Sequence, residues 1–260
     1  MSKESVSGDH LLNTKAMYLH DRDVNVNVPA PNQRKFLVIG WSQDNIGEAI
    51  RISLVRKYPA SEIQVFSHAL MPAQGIMAHR ELDDFDTVIF VNGQTHLDWI
   101  ENQTYDQISS AVFNTLTATV HGVSQFVKAT LDLPYRKNIV MVGSMAYNHV
   151  LNGSAPYCAA KAGLQHFANC MAWELAPKNY DVFCVHPSNV EGAPMSLQTI
   201  RELMRFRGLT ETEAHEYWSA HLPRERWLQM DDIGSIVAEL VSGRMSYMSG
   251  SPVELAGGQR

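Results

Sequence analysis

The sequence predicts an α/β fold in one domain, built on a doubly wound parallel sheet, and three observations carry that expectation. The chain has 260 residues, a length such folds reach without dividing. From Lys35 onward, short runs rich in Val, Ile and Phe alternate with amphipathic stretches, the pattern of βαβ units whose strands are buried on both faces. Six such runs, at 36–39, 63–66, 87–91, 138–142, 182–185 and 253–255, read as the strands.

The elements follow in order. Residues 1–34 are mostly polar and end in Val28-Pro29-Ala30-Pro31-Asn32-Gln33-Arg34, which disfavours helix and reads as an extended arm ahead of a domain at 35–260. The first strand runs into a helical stretch at 48–56, whereas only 70–85 separates the second strand from Thr87, leaving room for a minimal crossover. Thr104-Tyr105-Asp106-Gln107 has the form of a capping box, and Ile108, Val112, Leu116, Val120, Val123 and Val127 continue from it at helical spacing. A second long helix starts at Tyr157 with Ala160, Leu164, Phe167, Met171 and Leu175 on its apolar stripe. The stretch 196–221, with Met204, Phe206, His215, Tyr217 and Trp218, reads either as a helical lid over a substrate or as extra core. Arg201, Arg205 and Arg207 within it read as a solvated face, with contact to an anionic substrate as the alternative. Asp231 and Asp232 suit the first turn of a helix through Leu240.

Composition narrows the partners. A net charge of -6 and a pI near 6.0 offer no basic face for nucleic acid. No apolar run approaches the roughly 20 residues of a membrane span, so no membrane partner is expected and small molecules remain. Cys158, Cys170 and Cys184 show neither metal-ligand spacing nor a disulfide framework. The polar start from Met1 to His10 shows no secretory segment. These features predict a soluble protein of the cytoplasm with no metal.

Two segments carry chemistry. After the first strand, Gly40-Trp41-Ser42-Gln43-Asp44-Asn45-Ile46-Gly47 turns into a helix, and such a glycine turn lets a pyrophosphate approach the backbone and rest on helix amides. Later, Tyr157 and Lys161 stand four apart in Tyr157-Cys158-Ala159-Ala160-Lys161, hence on one helix face. With nine tyrosines and eight lysines in 260 residues, about 0.3 such pairs arise by chance, so the pair is weak evidence by itself. Ser144 strengthens it, because it follows Gly143 at the carboxyl end of the 138–142 strand, where open α/β sheets bind ligands. Asn114 lies within the first long helix.

Together these segments resemble the short-chain dehydrogenase/reductase family over about 35–260. The resemblance implies a Rossmann-like fold and a catalytic set of Asn114, Ser144, Tyr157 and Lys161. The glycine turn is similar to the family's TGxxxGxG, with Ile39 for Thr and with Asn45, in a loop one residue longer, for the middle glycine. Asn45 is expected to keep the turn by accepting positive φ. Phe90-Val91-Asn92-Gly93 is similar to NNAG, and Val185-His186-Pro187-Ser188-Asn189-Val190 to the strand-Pro-Gly segment, with Ser188 for Gly and Gly192 where Thr often stands. The segments 222–227 and 250–258 resemble the family's C-terminal hallmarks. The cofactor residues implied are Gly40, Ser42, Asn45, Ile46, Gly47, Ser67, His68, Leu82, Asn92, Gly93, Tyr157, Lys161, Pro187 and Val190, with Glu81-Leu82 beside the adenine.

The implied activity is NAD(P)-dependent hydride transfer on a carbonyl or alcohol, in which Tyr157 gives the proton, Lys161 assists, Ser144 steadies the oxygen and Asn114 holds a water. Phe66-Ser67-His68 has no acid where NAD-selective chains place one, which favours NADP(H) over NAD(H). The family also implies a homotetramer, with a dimer second. The competing reading is a catalytically silent NAD(P)-binding regulator on the same fold. Enoyl reduction is disfavoured, because those relatives usually space the Tyr and Lys farther apart.

Overall fold

The computed structural model describes residues 33–67, 82–220, 222–224 and 226–259. All six expected strands form: β1 (Lys35–Trp41), β2 (Glu62–Ser67), β3 (Thr87–Phe90), β4 (Lys137–Val142), β5 (Tyr180–Pro187) and β6 (Pro252–Leu255). They pair in parallel in the order β2-β1-β3-β4-β5-β6. The order reverses between β1 and β3, and ligand crevices in open sheets lie outside the carboxyl ends of strands at such a switch.

Alternation along the strands sends side chains into two cores. Phe36, Val38, Val140, Val142 and Phe183 face one side, where they meet Ile50 and Leu54 of α1 (Ile46–Lys57) and Ile233 and Val237 of α7 (Met230–Leu240). Leu37, Ile39, Ile139, Met141 and Cys184 face the other, against Val123 and Phe126 of α3 (Ala118–Thr130) and Leu164 and Ala168 of α4 (Ala155–Leu175). The expected capping box opens α2 (Tyr105–Val112), with Thr104 and Gln107 satisfying each other's backbone N–H groups. One π turn, Phe113–Thr117, joins α2 to α3, and such bulges often mark functional sites.

Some expectations shift. Arg34, assigned to the arm, is 2% exposed, ion-paired with Asp86 at 2.7 Å and bonded to Thr87 Oγ1 and the Val241 carbonyl. It therefore belongs to the fold, and deleting either partner of such a buried pair costs about 3–5 kcal/mol. The 70–85 crossover lies outside the described residues except for its end, a 3-10 turn at Leu82–Asp84. Among the described residues no helix is long and apolar enough to cross a membrane.

Candidate active site

A cavity of about 390 Å3 runs from the carboxyl end of β1 to the amino end of α4. At its chemical end, α4 starts with Pro156 in its first turn, where the missing N–H costs nothing. Tyr157 and Lys161, one turn apart on its inner face, are 6% and 2% exposed. The Lys161 ammonium donates to the carbonyls of Val142 at 2.7 Å and Asn92 at 3.2 Å, bridging the ends of β4 and β3. Its Nζ lies 5.6 Å from the Tyr157 ring centroid. Burial pushes the Lys161 ammonium down to about 8, because a desolvated cation is disfavoured.

The Tyr157 hydroxyl donates to Met195 Sδ at 3.7 Å. Burial pushes its phenol up to about 12, and Ser144 pulls the other way. Ser144 is the N-cap of the 3-10 turn Met145–Tyr147, its Oγ accepting from Ala146 N–H at 3.2 Å. Thus Ser144, Tyr157 and Lys161 line one cavity, bringing a hydroxyl, a phenol and an ammonium to it.

The nucleotide end lies across the switch point. Gly40 adopts φ +89, and a Cβ there would stand 2.6 Å from Asn92 Oδ1 and 2.9 Å from the Val91 carbonyl; this turn requires glycine on both counts. Asn92 Oδ1 is buried without a hydrogen-bond partner among the described residues. Ser42, Ile46 and Gly93 line the same stretch. The start of α1 offers N–H groups and the positive end of a helix dipole to an anion.

The glycine turn, the helix start and the unpartnered Asn92 Oδ1 along this cavity fit an elongated dinucleotide. Residues 73–260 match the family model described as "Enoyl-(Acyl carrier protein) reductase". The chain belongs to the short-chain dehydrogenase/reductase family. It is 25% identical to the 3-oxoacyl-(acyl-carrier-protein) reductase FabG of Thermotoga maritima over 216 residues, 83% of this chain and 72% of that one. Among solved structures, a short chain dehydrogenase family protein of Francisella tularensis superposes with a TM-score of 0.74 at 20% identity, over 87% of this chain and 98% of that one. An actinorhodin polyketide ketoreductase with NADPH does so with a TM-score of 0.74 at 18% identity, over 89% and 99%. Matches to the nodulation G proteins of two rhizobia and Azospirillum brasilense, each 29% identical, span 38% to 55% of those chains, about half their length.

Against the family pattern, Asn45 departs from expectation in a particular way. Its φ is -121, an extended N-cap rather than a left-handed residue, so positive φ is not how it maintains the turn. Its carboxamide does so instead: Oδ1 accepts from Ser42 N–H at 3.1 Å and Gly47 N–H at 2.8 Å, and Nδ2 donates to the Gly40 carbonyl at 2.8 Å. The extra loop residue lets a side chain do what a glycine backbone does elsewhere.

Of the other short-chain dehydrogenase/reductase positions, Pro187 and Val190 line the cavity. Gly47 sits beneath the turn, a Cβ there meeting Asn45 Oδ1 at 2.9 Å. Ser67 ends β2, paired in register with Trp41 and outside the cavity lining. His68 and Glu81 lie outside the described residues. Leu82 is 5% exposed, in the core with Leu37, Phe85 and Val88 and outside the cavity lining. Asn114 lies in the π turn and donates to Gln94 Oε1. Gln94 lines the cavity and Asn114 does not.

The lid region forms α5 (Pro194–Arg207) and α6 (Glu211–Ser219). Both readings of it meet here. Ile200, Leu203 and Ala214 build a small core with Leu97 and Trp227, while Met195, Thr199 and Trp218 line the cavity. Arg207 stands over the Tyr217 ring at 4.6 Å, not in the cavity. Sequence reasoning also missed Gln94, His149, Leu151 and Gln259 as lining residues. Gln94 follows directly on Asn92-Gly93 and was within reach; the others come from loops joined only by folding.

Proposed function

We propose that the protein is an NAD(P)-dependent oxidoreductase acting between a carbonyl and an alcohol, of the carbonyl reductase or alcohol dehydrogenase type. The observation that supports it best is the convergence of Ser144, Tyr157 and Lys161 on a cavity that continues to the Gly40 turn. When bound, the nicotinamide supplies or accepts the hydride. A substrate carbonyl placed against the Ser144 hydroxyl and the Tyr157 phenol gains two donors at the oxygen on which charge develops. Tyr157 holds its proton until that oxygen becomes basic, then releases it from Oη. The Lys161 ammonium, fixed by the Val142 and Asn92 carbonyls, stabilises the phenolate left behind. Met195, Leu151 and Trp218 line the wall of the cavity and exclude water.

Several finer statements belong to this proposal. NADP(H) is preferred over NAD(H), since Phe66-Ser67-His68 carries no acid. The protein works in the cytoplasm as a homotetramer, with a dimer second; exposed Tyr105 on α2 and Trp173 on α4 provide apolar surface for it, and light scattering that finds only monomer at micromolar concentration overturns this. The deciding experiment is a screen of ketones, aldehydes and secondary alcohols with NADPH and NADH, read by absorbance of the reduced nicotinamide. Turnover of any carbonyl supports the enzyme. Tight cofactor binding without turnover of any of them supports the silent regulator instead. Enoyl reduction is favoured by the description of the family model that matches and opposed by the four-residue spacing of Tyr157 and Lys161; an enoyl thioester in the same screen separates the two.

A further inference from the structure

His186 is completely buried at the end of β5, directly beneath the serine loop. Its Nδ1 lies 3.3 Å from the Ser144 N–H and 3.0 Å from the Ser144 carbonyl. Its Nε2 lies 2.6 Å from Gln165 Oε1. The Tyr147 ring covers it at a centroid distance of 4.0 Å, and Gly143 makes room for it, because a Cβ there would stand 2.4 Å from His186 Nδ1. Gln165 is itself 6% exposed, with Nε2 donating to the Gly250 carbonyl at 3.2 Å.

The spacing on α4 gives this contact its meaning. Tyr157, Lys161 and Gln165 stand at successive intervals of four, so all three lie along one face of the helix. The helix that carries the acid and the ammonium therefore reaches back, through Gln165 and the imidazole, to the backbone of the residue that carries the hydroxyl. Ser144 and Tyr157 lie on different elements, and a rigid polar bridge between those elements fixes their separation.

We propose that Gln165 and His186 are positioning residues that hold the Ser144 hydroxyl in register with Tyr157, coupling the serine loop to α4. The imidazole does this in the neutral tautomer whose Nε2–H donates to Gln165 Oε1 and whose Nδ1 accepts from the Ser144 N–H. Burial pushes its pKa down to about 4, which favours that neutral form near neutral pH. Misplacing a reacting group by about 1 Å can cost on the order of a hundredfold in rate; a loop that stays folded but loses one tether should lose less.

The inference rests on the oxidoreductase reading for its kinetic arm and is independent of it in its spectroscopic arm. With phenanthrenequinone as carbonyl probe and NADPH as reductant, Gln165→Met should lower kcat by about tenfold while KM and the NADPH dissociation constant stay within about twofold. Gln165→Glu, which restores an acceptor and adds a carboxylate beside the ring, should recover most of that kcat and bring a new ionisation into the pH profile. The idea is overturned if folded Gln165→Met keeps full kcat, if its kcat, KM and cofactor affinity move together, or if Gln165→Glu matches the wild type at every pH. Nitrogen NMR of labelled histidine, with His186 assigned by its loss in His186→Asn, should show one ring that does not titrate between about pH 5 and 8 and whose shifts move in Gln165→Met. A His186 that titrates near its ordinary pKa overturns the proposal whether or not any carbonyl is reduced.

Discussion

The two ends of the cavity are built on different principles. At the chemical end, Tyr157, Lys161 and Ser144 are each bonded to another element, to Met195, Val142 and His186 respectively. At the nucleotide end, the Gly40–Gly47 turn is closed locally, by one carboxamide bonded within its own loop. The contrast teaches where change is tolerated. A reacting group must be placed to a fraction of an ångström, whereas a diphosphate needs N–H groups and room, which several loop designs provide.

The largest expected effect tests the chemical end directly. Tyr157→Phe should remove most turnover, by at least on the order of a hundredfold, yet leave the cofactor dissociation constant within about twofold, because the ring stays and the proton goes. Steady-state kinetics beside a fluorescence titration check it, and full activity in the Phe variant removes Tyr157 as the acid. Ser144→Ala should slow turnover by on the order of a hundredfold, the loss of one donor to a developing oxyanion; an unchanged kcat takes Ser144 out of the mechanism.

A pH effect comes next. The Lys161 pKa is depressed to about 8 by burial, so the ammonium is present below that value and lost above it. In the free enzyme, kcat/KM should therefore fall as pH rises through about 8, by up to roughly tenfold per unit. The same shift affects folding. The unfolded chain binds the proton more tightly between about 8 and 10.5, so stability should rise across that window as the cost of burying the charge disappears. A flat activity profile from pH 7 to 10 contradicts the charged role of Lys161.

The nucleotide end should respond in the opposite currency. Asn45→Ala removes the N-cap of α1 and should destabilise the fold by about 1 kcal/mol in denaturant titrations, with kcat at saturating cofactor nearly unchanged. A large drop in kcat with no loss of stability would erase the distinction between the two ends. The smallest effect expected is in cofactor choice: NADPH should bind a few-fold more tightly than NADH at pH 8, and the ratio should grow at pH 6 as a histidine such as His68 gains charge against a phosphate. Tighter NADH binding at both values defeats the NADP(H) assignment.

The strands, the capping box at Thr104, the α4 stripe and the Tyr157–Lys161 pair were legible in the sequence because each depends on neighbours a few residues away. Periodicity of two or four is a local property, and burial on both faces leaves an uninterrupted apolar run such as 138–142. The same locality explains what was misjudged. The sequence suggests that Asn45 keeps the turn through its backbone tolerance, whereas its side chain closes it.

Read alone, the sequence determined the fold class, the six strands in order and a set of candidate site residues, since hydrophobic period and residue type are written along the chain. Tertiary structure alone decided that Arg34 joins the domain through Asp86, that Gln94 stands between Asn114 and the cavity, and that His186 meets both Ser144 and Gln165. Each of these joins residues 20 or more positions apart. No local pattern encodes such a contact, because it exists only once the sheet has set the distance between the elements that make it.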